Sequence, residues 1–277
     1  AYFMADALQR KIKPLIEIMQ ALPTVILGFL AGLWLAPLIE GNLAAVFLVV
    51  LMIPLSTLVF AFVWSRLPSF ITSFVPAGWQ AALLLPVMVG VFWVSFSIND
   101  YVELIFFQGN MSRWVTTSLG ISFDQRNSLV VGIAMGIAVI PTIFSIAEDA
   151  VYSVPRHLTD GSLALGATPW QTLVRVVLPT ASPGIFSALM IGFGRAVGET
   201  MIVLMATGNT PIMDINIFEG MRTLSANIAV EIPEAEVEST HYRILFLAAF
   251  VLFLFTFIVN TGAEIVRQRL RVRYGSL

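Results

Sequence analysis

The sequence predicts an all-α fold, a polytopic membrane helix bundle of about six transmembrane helices with a structured loop between the fourth and fifth. Three observations carry this. Of 277 residues, 58% are hydrophobic and 12% charged, with mean hydropathy +0.89, whereas soluble domains carry about 25% charge. Apolar runs recur that are long enough to cross a bilayer, which takes about 20 helical residues. The lysines and arginines fall between or beyond most of those runs. Composition also excludes whole classes. With 15 Lys+Arg against 17 Asp+Glu and net charge −2, no global field attracts nucleic acid. The absence of cysteine excludes disulfides, Cys-ligated zinc, iron–sulfur clusters and thiol catalysis.

The charge-free runs are 18–39, 43–63, 80–98, 129–146 and 244–262. A sixth, 184–208, is equally apolar apart from Arg195 and Glu199. Pro23, Pro54, Pro86 and Pro141 lie inside these runs, where a membrane bundle tolerates them. Arg267, Arg269, Arg271 and Arg273 place the C-terminus in the cytoplasm. Six crossings back, Arg10, Lys11 and Lys13 fall on the same side, as do Arg66 and the loop holding Arg156 and Arg175. Loops 99–128 and 209–243 then face outward, and the second is acidic, with Asp214, Glu219, Glu231 and Glu234. The pairs Gly28/Gly32, Gly132/Gly136 and Gly194/Gly198 read as sites of close helix packing. Trp64, Trp79, Trp93 and Trp114 read as interfacial anchors or packing, and His241, beside Tyr242 and Arg243, as a membrane-boundary residue.

Residues 147–183 are neither a Gly/Ser linker nor a charge run. They read as two short helices. Pro155 suits a first helical turn, and Leu158, Leu163 and Leu165 make the following segment unusually apolar for a solvated loop. Gly166 supplies a stop. Thr168, Pro169 and Gln171 restart the helix as N-cap, first position and capping-box partner, and Leu178-Pro179 is expected to end it. Exposed apolar residues on a short helix beneath a bundle call for a partner, although lipid headgroups could also cover them.

The run Asp160-Gly161-Ser162-Leu163-Ala164-Leu165-Gly166-Ala167-Thr168-Pro169-Trp170, ending in Leu178-Pro179, resembles the coupling loop of binding-protein-dependent ABC importer permeases, the MetI-like superfamily. In that family the loop carries a Glu-Ala-Ala triplet, for which Asp160-Gly161-Ser162 stands here, and docks on a cytoplasmic ATPase. Gly161 should loosen the helix by up to about 1 kcal/mol relative to Ala. Further motifs are similar to the phosphate-specific (Pst-type) permeases: Gly194-Arg195-Ala196-Val197-Gly198-Glu199-Thr200, Gly208-Asn209-Thr210-Pro211, Arg222-Thr223-Leu224, and near the start Lys13-Pro14 and Pro23-Thr24. Against that family, 43–128 reads as an inserted helical hairpin (43–98) with an outer loop. The division is thus a cytoplasmic segment 1–17, preceded by at least one further helix, and a permease domain 18–277 with its coupling loop at 147–183.

Arg195 and Glu199 are four residues apart, at i and i+4 on one helical face. A charge at mid-membrane costs about 2.5–3.5 kcal/mol, so the pair should face the bundle interior or a wet cavity. Two readings remain open from the residues: a neutralising pair that locks helices, or an anion path in which the Arg195 guanidinium offers paired donors to phosphate oxygens. The resemblance favours the second and adds Thr200. It also implies the partners: a second permease subunit, a pair of cytoplasmic ATPases and an extracytoplasmic phosphate-binding protein. ATP and magnesium would be held by the ATPases; this chain has no Gly-x-x-x-x-Gly-Lys-Ser/Thr motif, so it is expected to bind no cofactor and no metal and to be no enzyme. A bacterial inner-membrane location follows. The alternatives are an importer permease for another oxyanion or small solute, and an ion-coupled secondary transporter using Arg195 and Glu199 as a relay.

Overall fold

In the computed structural model, which describes residues 6–68, 70, 74–75 and 80–274, all regular structure is helical. The first helix, α1 (Asp6–Gln20), ends before Pro23, which is extended and opens α2 (Thr24–Gly41). The expected span at 18–39 is therefore displaced. Its first residues finish α1, because a proline biases the residue before it away from helical backbone. Helix α2 contains one π-turn at Ala31–Leu35 and stops on Asn42, whose Nδ2 donates to the Leu38 carbonyl at 3.0 Å.

Helix α3 (Leu43–Arg66) follows without a linker and packs along α4 (Gln80–Ser97). The expected outer loop, by contrast, is largely helical. After a 47° bend α4 leads into α5 (Asn99–Phe106) and α6 (Met111–Ser118). These two satisfy the backbone exposed at the α2–α3 corner. Asn99 Oδ1 accepts the Ala45 amide at 3.0 Å, and Ser112 Oγ donates to the Glu40 carbonyl at 2.8 Å. Buried backbone groups need such partners, and here they come from 54 and 72 residues away in sequence.

Helix α7 (Ser128–Tyr152), capped by Asn127 Oδ1 on the Val130 amide, is the central element. It packs against α1, α2, α9 and α10. The loop helix α8 (Arg156–Ala164) leads to α9 (Pro169–Gly198), the half-helix α10 (Met201–Thr207), α11 (Leu224–Glu231) and the long α12 (Thr240–Tyr274). Among the described residues five helices are long and apolar enough to cross a membrane, six if the bent α4–α6 unit counts as one span. Large apolar side chains face outward along them, Leu58 at 70% and Trp93 at 69% exposure among them, the inverse of a soluble globule. Trp64 stacks on Phe60 and Trp114 sits edge-on to Phe107; Trp79 lies outside the described residues.

The small-residue sites separate into two kinds. A Cβ added at Gly28 would stand 2.8 Å from the Met201 carbonyl, and one at Gly32 2.5 Å from that of Met205, so α2 and α10 touch backbone to backbone. Around Gly132, Gly136 and Gly198 the space is open, and a Cβ at Gly194 would have only Asn260 near, at 3.9 Å. The close contact of α7 with α9 runs instead through Gly184, Ala188 and Gly192, two of which meet Ala150 and Ile143. This stripe of small residues every fourth position was present in the sequence, hidden by the alanine at its centre.

Candidate functional site

The loop helix α8 ends in a Schellman arrangement. Gly166, at φ +85°, donates its amide to the Leu163 carbonyl at 2.9 Å, and the Ala167 amide reaches the Ser162 carbonyl at 3.2 Å. Only glycine takes that backbone conformation without steric cost. The capping box that restarts the chain is complete: the Gln171 amide donates to Thr168 Oγ1 at 3.2 Å, and the Thr168 amide to Gln171 Oε1 at 2.9 Å. Pro169 occupies the first turn. The two helices are then joined by Ser162 Oγ and the buried Thr172 Oγ1, 3.0 Å apart. Beneath them Val154, Val177 and Ala181 form a small core with Leu158 and Leu173. Asp160 and Gly161 lie on the exposed side, Leu163, Leu165 and Trp170 are exposed at 43%, 92% and 65%, and Ala167 is half-buried. A rigid, twice-capped handle thus presents apolar side chains away from its own core.

One expectation fails here. Leu178-Pro179 does not end the second helix, which runs on to Gly198. A π-turn at Leu173–Val177, in which the Leu178 amide reaches back to the Leu173 carbonyl, precedes the proline, and the helix passes through Pro179 as membrane helices can.

The intramembrane residues are also rearranged. The expected continuous run 184–208 is broken: α9 stops at Gly198, Glu199 is extended (φ −67°, ψ 129°), and α10 begins at Met201. Arg195 and Glu199 are therefore not on one helical face and form no ion pair. Arg195 Nη1 donates to Thr142 Oγ1 of α7 at 2.9 Å. Glu199 Oε1 accepts the amides of Met201 and Ile202 at 3.2 and 3.4 Å, capping α10, while its backbone carbonyl accepts from Ser225 Oγ at 3.0 Å. Thr200 donates to the Gly198 carbonyl at 3.3 Å. Without Glu199 the first amides of α10 would lack partners inside the bundle. The signal for this break was a polar Glu-Thr pair after glycine, the pattern of a helix start, masked by unbroken hydropathy.

Two further clusters escaped the sequence. Arg222 gathers the return loop: its Nε donates to Asn209 Oδ1 at 3.1 Å, and its Nη1 to Asn227 at 2.9 Å and to Glu231 at 3.2 Å. His241 Nε2 lies 3.3 Å from the same Glu231 and so joins this polar network. At the other end of the bundle, Lys13 of α1 meets Glu148 and Asp149 of α7 at 3.1 and 3.3 Å. These two carboxylates hold the Lys13 ammonium above the ordinary lysine range. No local pattern links residues 13 and 149.

The sequence matches known proteins. The family described as "binding-protein-dependent transport system inner membrane component" matches residues 55–272. The chain belongs to this family. It is thus a multi-pass membrane protein of the permease type. It is similar to the phosphate transport system permease protein PstC of Xylella fastidiosa (30% identity, covering 74% of this chain and 60% of that one) and to a probable ABC transporter permease, YqgH, of Bacillus subtilis (30%, covering 68% and 59%). PstC 1 of Mycobacterium tuberculosis is 35% identical over 51% of this chain and 43% of its own. The chain thus spans about two fifths to three fifths of the length of these relatives. No solved structure matches it.

Proposed function

We propose that the chain is a permease subunit of an ATP-driven importer of inorganic phosphate. The observation that carries this is the twice-capped α8–α9 handle with outward apolar side chains, in a chain similar to proteins named as phosphate permeases. The handle, from Asp160 to Trp170, docks on one of two cytoplasmic ATPase subunits, which hold ATP and magnesium. A second permease subunit completes the pathway, and an external phosphate-binding protein delivers the anion. Lys13, Arg156, Arg267 and Arg271 gather at the handle's end of the bundle, which favours a cytoplasmic handle and C-terminus.

In this mechanism Arg195 is the anion's contact in the pathway. Its guanidinium presents several donors in one plane, and a single hydroxyl, Thr142, occupies one of them, leaving the others for phosphate oxygens. A neutral partner orients the cation without cancelling its charge. Glu199 and Thr200 act by fixing the α9–α10 break. ATPase closure pulls the handle, and α9, continuous from Pro169 to Gly198, carries the motion to Arg195. Radiolabelled phosphate uptake in cells lacking other phosphate importers tests this. Arg195→Gln should abolish uptake while ATPase still co-purifies, and Thr142→Val should lower uptake with less effect. Normal uptake by Arg195→Gln removes the assignment.

A further inference from the structure

At the handle's end of the bundle a cavity of about 640 Å³ opens between α7, α9 and α12, with Asp149, Ser153, Ser187, Glu264, Arg267 and Arg271 in its lining. A second cavity of about 350 Å³ shares Ser187, Glu264 and Arg267 with it and continues between α9 and α12 along Met190 and Ile191. The mouth that holds Asp149, Arg271 and the two serines therefore continues into a slot where Phe186, Met190 and Ile191 lie beside Asn260.

The charges in this mouth are not equally engaged. Arg267 donates to Glu264 at 2.8 Å, and Gln268 donates to the same oxygen at 3.0 Å, so this pair is internally matched. Arg271 is exposed and makes no hydrogen bond or ion pair among the described residues. Asp149, its side chain 72% exposed, shares Lys13 with the buried Glu148, which holds the ammonium more closely. One cation and one partly matched carboxylate thus face a single cavity. A simple anion would meet Arg271 but also Asp149; a simple cation would meet the reverse. A ligand carrying both charges and an apolar tail satisfies every part of the lining.

We propose that this cavity holds the headgroup of a zwitterionic phospholipid bearing a primary ammonium. The phosphate sits at Arg271 with the hydroxyls of Ser153 and Ser187 as donors, the ammonium donates to Asp149, and an acyl chain follows Met190 and Ile191. A quaternary ammonium has no N–H to give Asp149, so phosphatidylethanolamine is favoured over phosphatidylcholine. Phosphatidylglycerol brings no cation at all. This site is independent of the transported solute.

The full chain, purified from membranes and exchanged into equimolar phosphatidylethanolamine, phosphatidylglycerol and phosphatidylcholine, is tested by native mass spectrometry for the lipid it retains. Phosphatidylethanolamine should exceed each of the others about tenfold, which corresponds to about 1.4 kcal/mol. Asp149→Asn should erase that preference and Arg271→Gln should lower retention of both phosphatidylethanolamine and phosphatidylglycerol. Arg269→Gln, also exposed and outside the cavity, should change neither. Arg271→Gln removes no hydrogen bond or ion pair among the described residues, so it carries the test even if Asp149→Asn disturbs Lys13. Equal retention of the three lipids, preference for phosphatidylglycerol in the unaltered chain, or the same loss in Arg269→Gln overturns the proposal.

Discussion

Replacing Gly28 by Ala, with Gly132→Ala as its partner experiment, separates two positions that look alike in sequence. At Gly28 the new Cβ would lie 2.8 Å from the Met201 carbonyl oxygen and 2.9 Å from Ile202 Cα. Carbon atoms in good contact stand about 3.5–4.0 Å apart, so α2 and α10 must part by about 0.6–1 Å. Both obstacles are backbone, and no rotamer change relieves them. Overpacking of this kind costs about 1–3 kcal/mol, against which a helical Gly→Ala exchange gains about 0.5–1 kcal/mol in backbone entropy. The net expectation is a loss of about 0.5–2 kcal/mol. At Gly132 nothing lies within 4 Å, so only the gain remains. Denaturant unfolding of the purified full chain in detergent measures both, and phosphate uptake should fall for Gly28→Ala because α10 begins at the Glu199 cap. If Gly132→Ala destabilises as much as Gly28→Ala, or if Gly28→Ala is neutral, the backbone contact between α2 and α10 is not what holds them.

Gly166→Ala forces an L side chain into left-handed backbone at a cost of about 1–2 kcal/mol; ATPase retained on affinity purification should drop while the chain's membrane insertion is unchanged. Gly161→Ala, with open space around it, should strengthen α8 by up to about 1 kcal/mol, read as slower hydrogen exchange of the amides up to Leu165, and faster exchange would contradict the helix. Lys13→Met removes the ammonium that meets Glu148, whose side chain is 1% exposed, and Asp149, and should lower stability by up to about 3 kcal/mol, the lower end of the range for a broken buried pair because Lys13 itself is a third exposed. Since the lysine is held above its ordinary range, its contribution is fully present at and below neutral pH and is lost only in strong alkali; a stability difference between the two chains that vanishes between pH 6 and pH 8 would argue against the ion pair.

Local chemistry was legible in the residues themselves. The capping box at Thr168 and Gln171 and the glycine stop at 166 formed where the sequence pattern put them, because each depends on neighbours within about five positions. The apolar runs marked the spans but not their breaks. Hydropathy averages over a window, so the helix break at Glu199 and Thr200 did not show within 184–208, and Pro23 failed to divide 18–39. Pro179 erred the other way, read as a stop when a π-turn two to six residues earlier in the chain leads into a helix that passes through it. The helical nature of 99–118 went unread because its value lies elsewhere: Asn99 and Ser112 serve backbone groups at Ala45 and Glu40.

The sequence by itself therefore determined that the chain lives in a bilayer, how many apolar lengths it has, and that a capped, apolar handle lies between two of them, since water exclusion and capping act on contiguous residues. Tertiary structure alone decided that Arg195 turns to Thr142 and Glu199 to the amides of α10, which glycines are contacts, and that Lys13 closes on α7. Those choices rest on which groups meet once helices pack, and a buried hydrogen bond or charge selects its partner by distance in space, not in sequence.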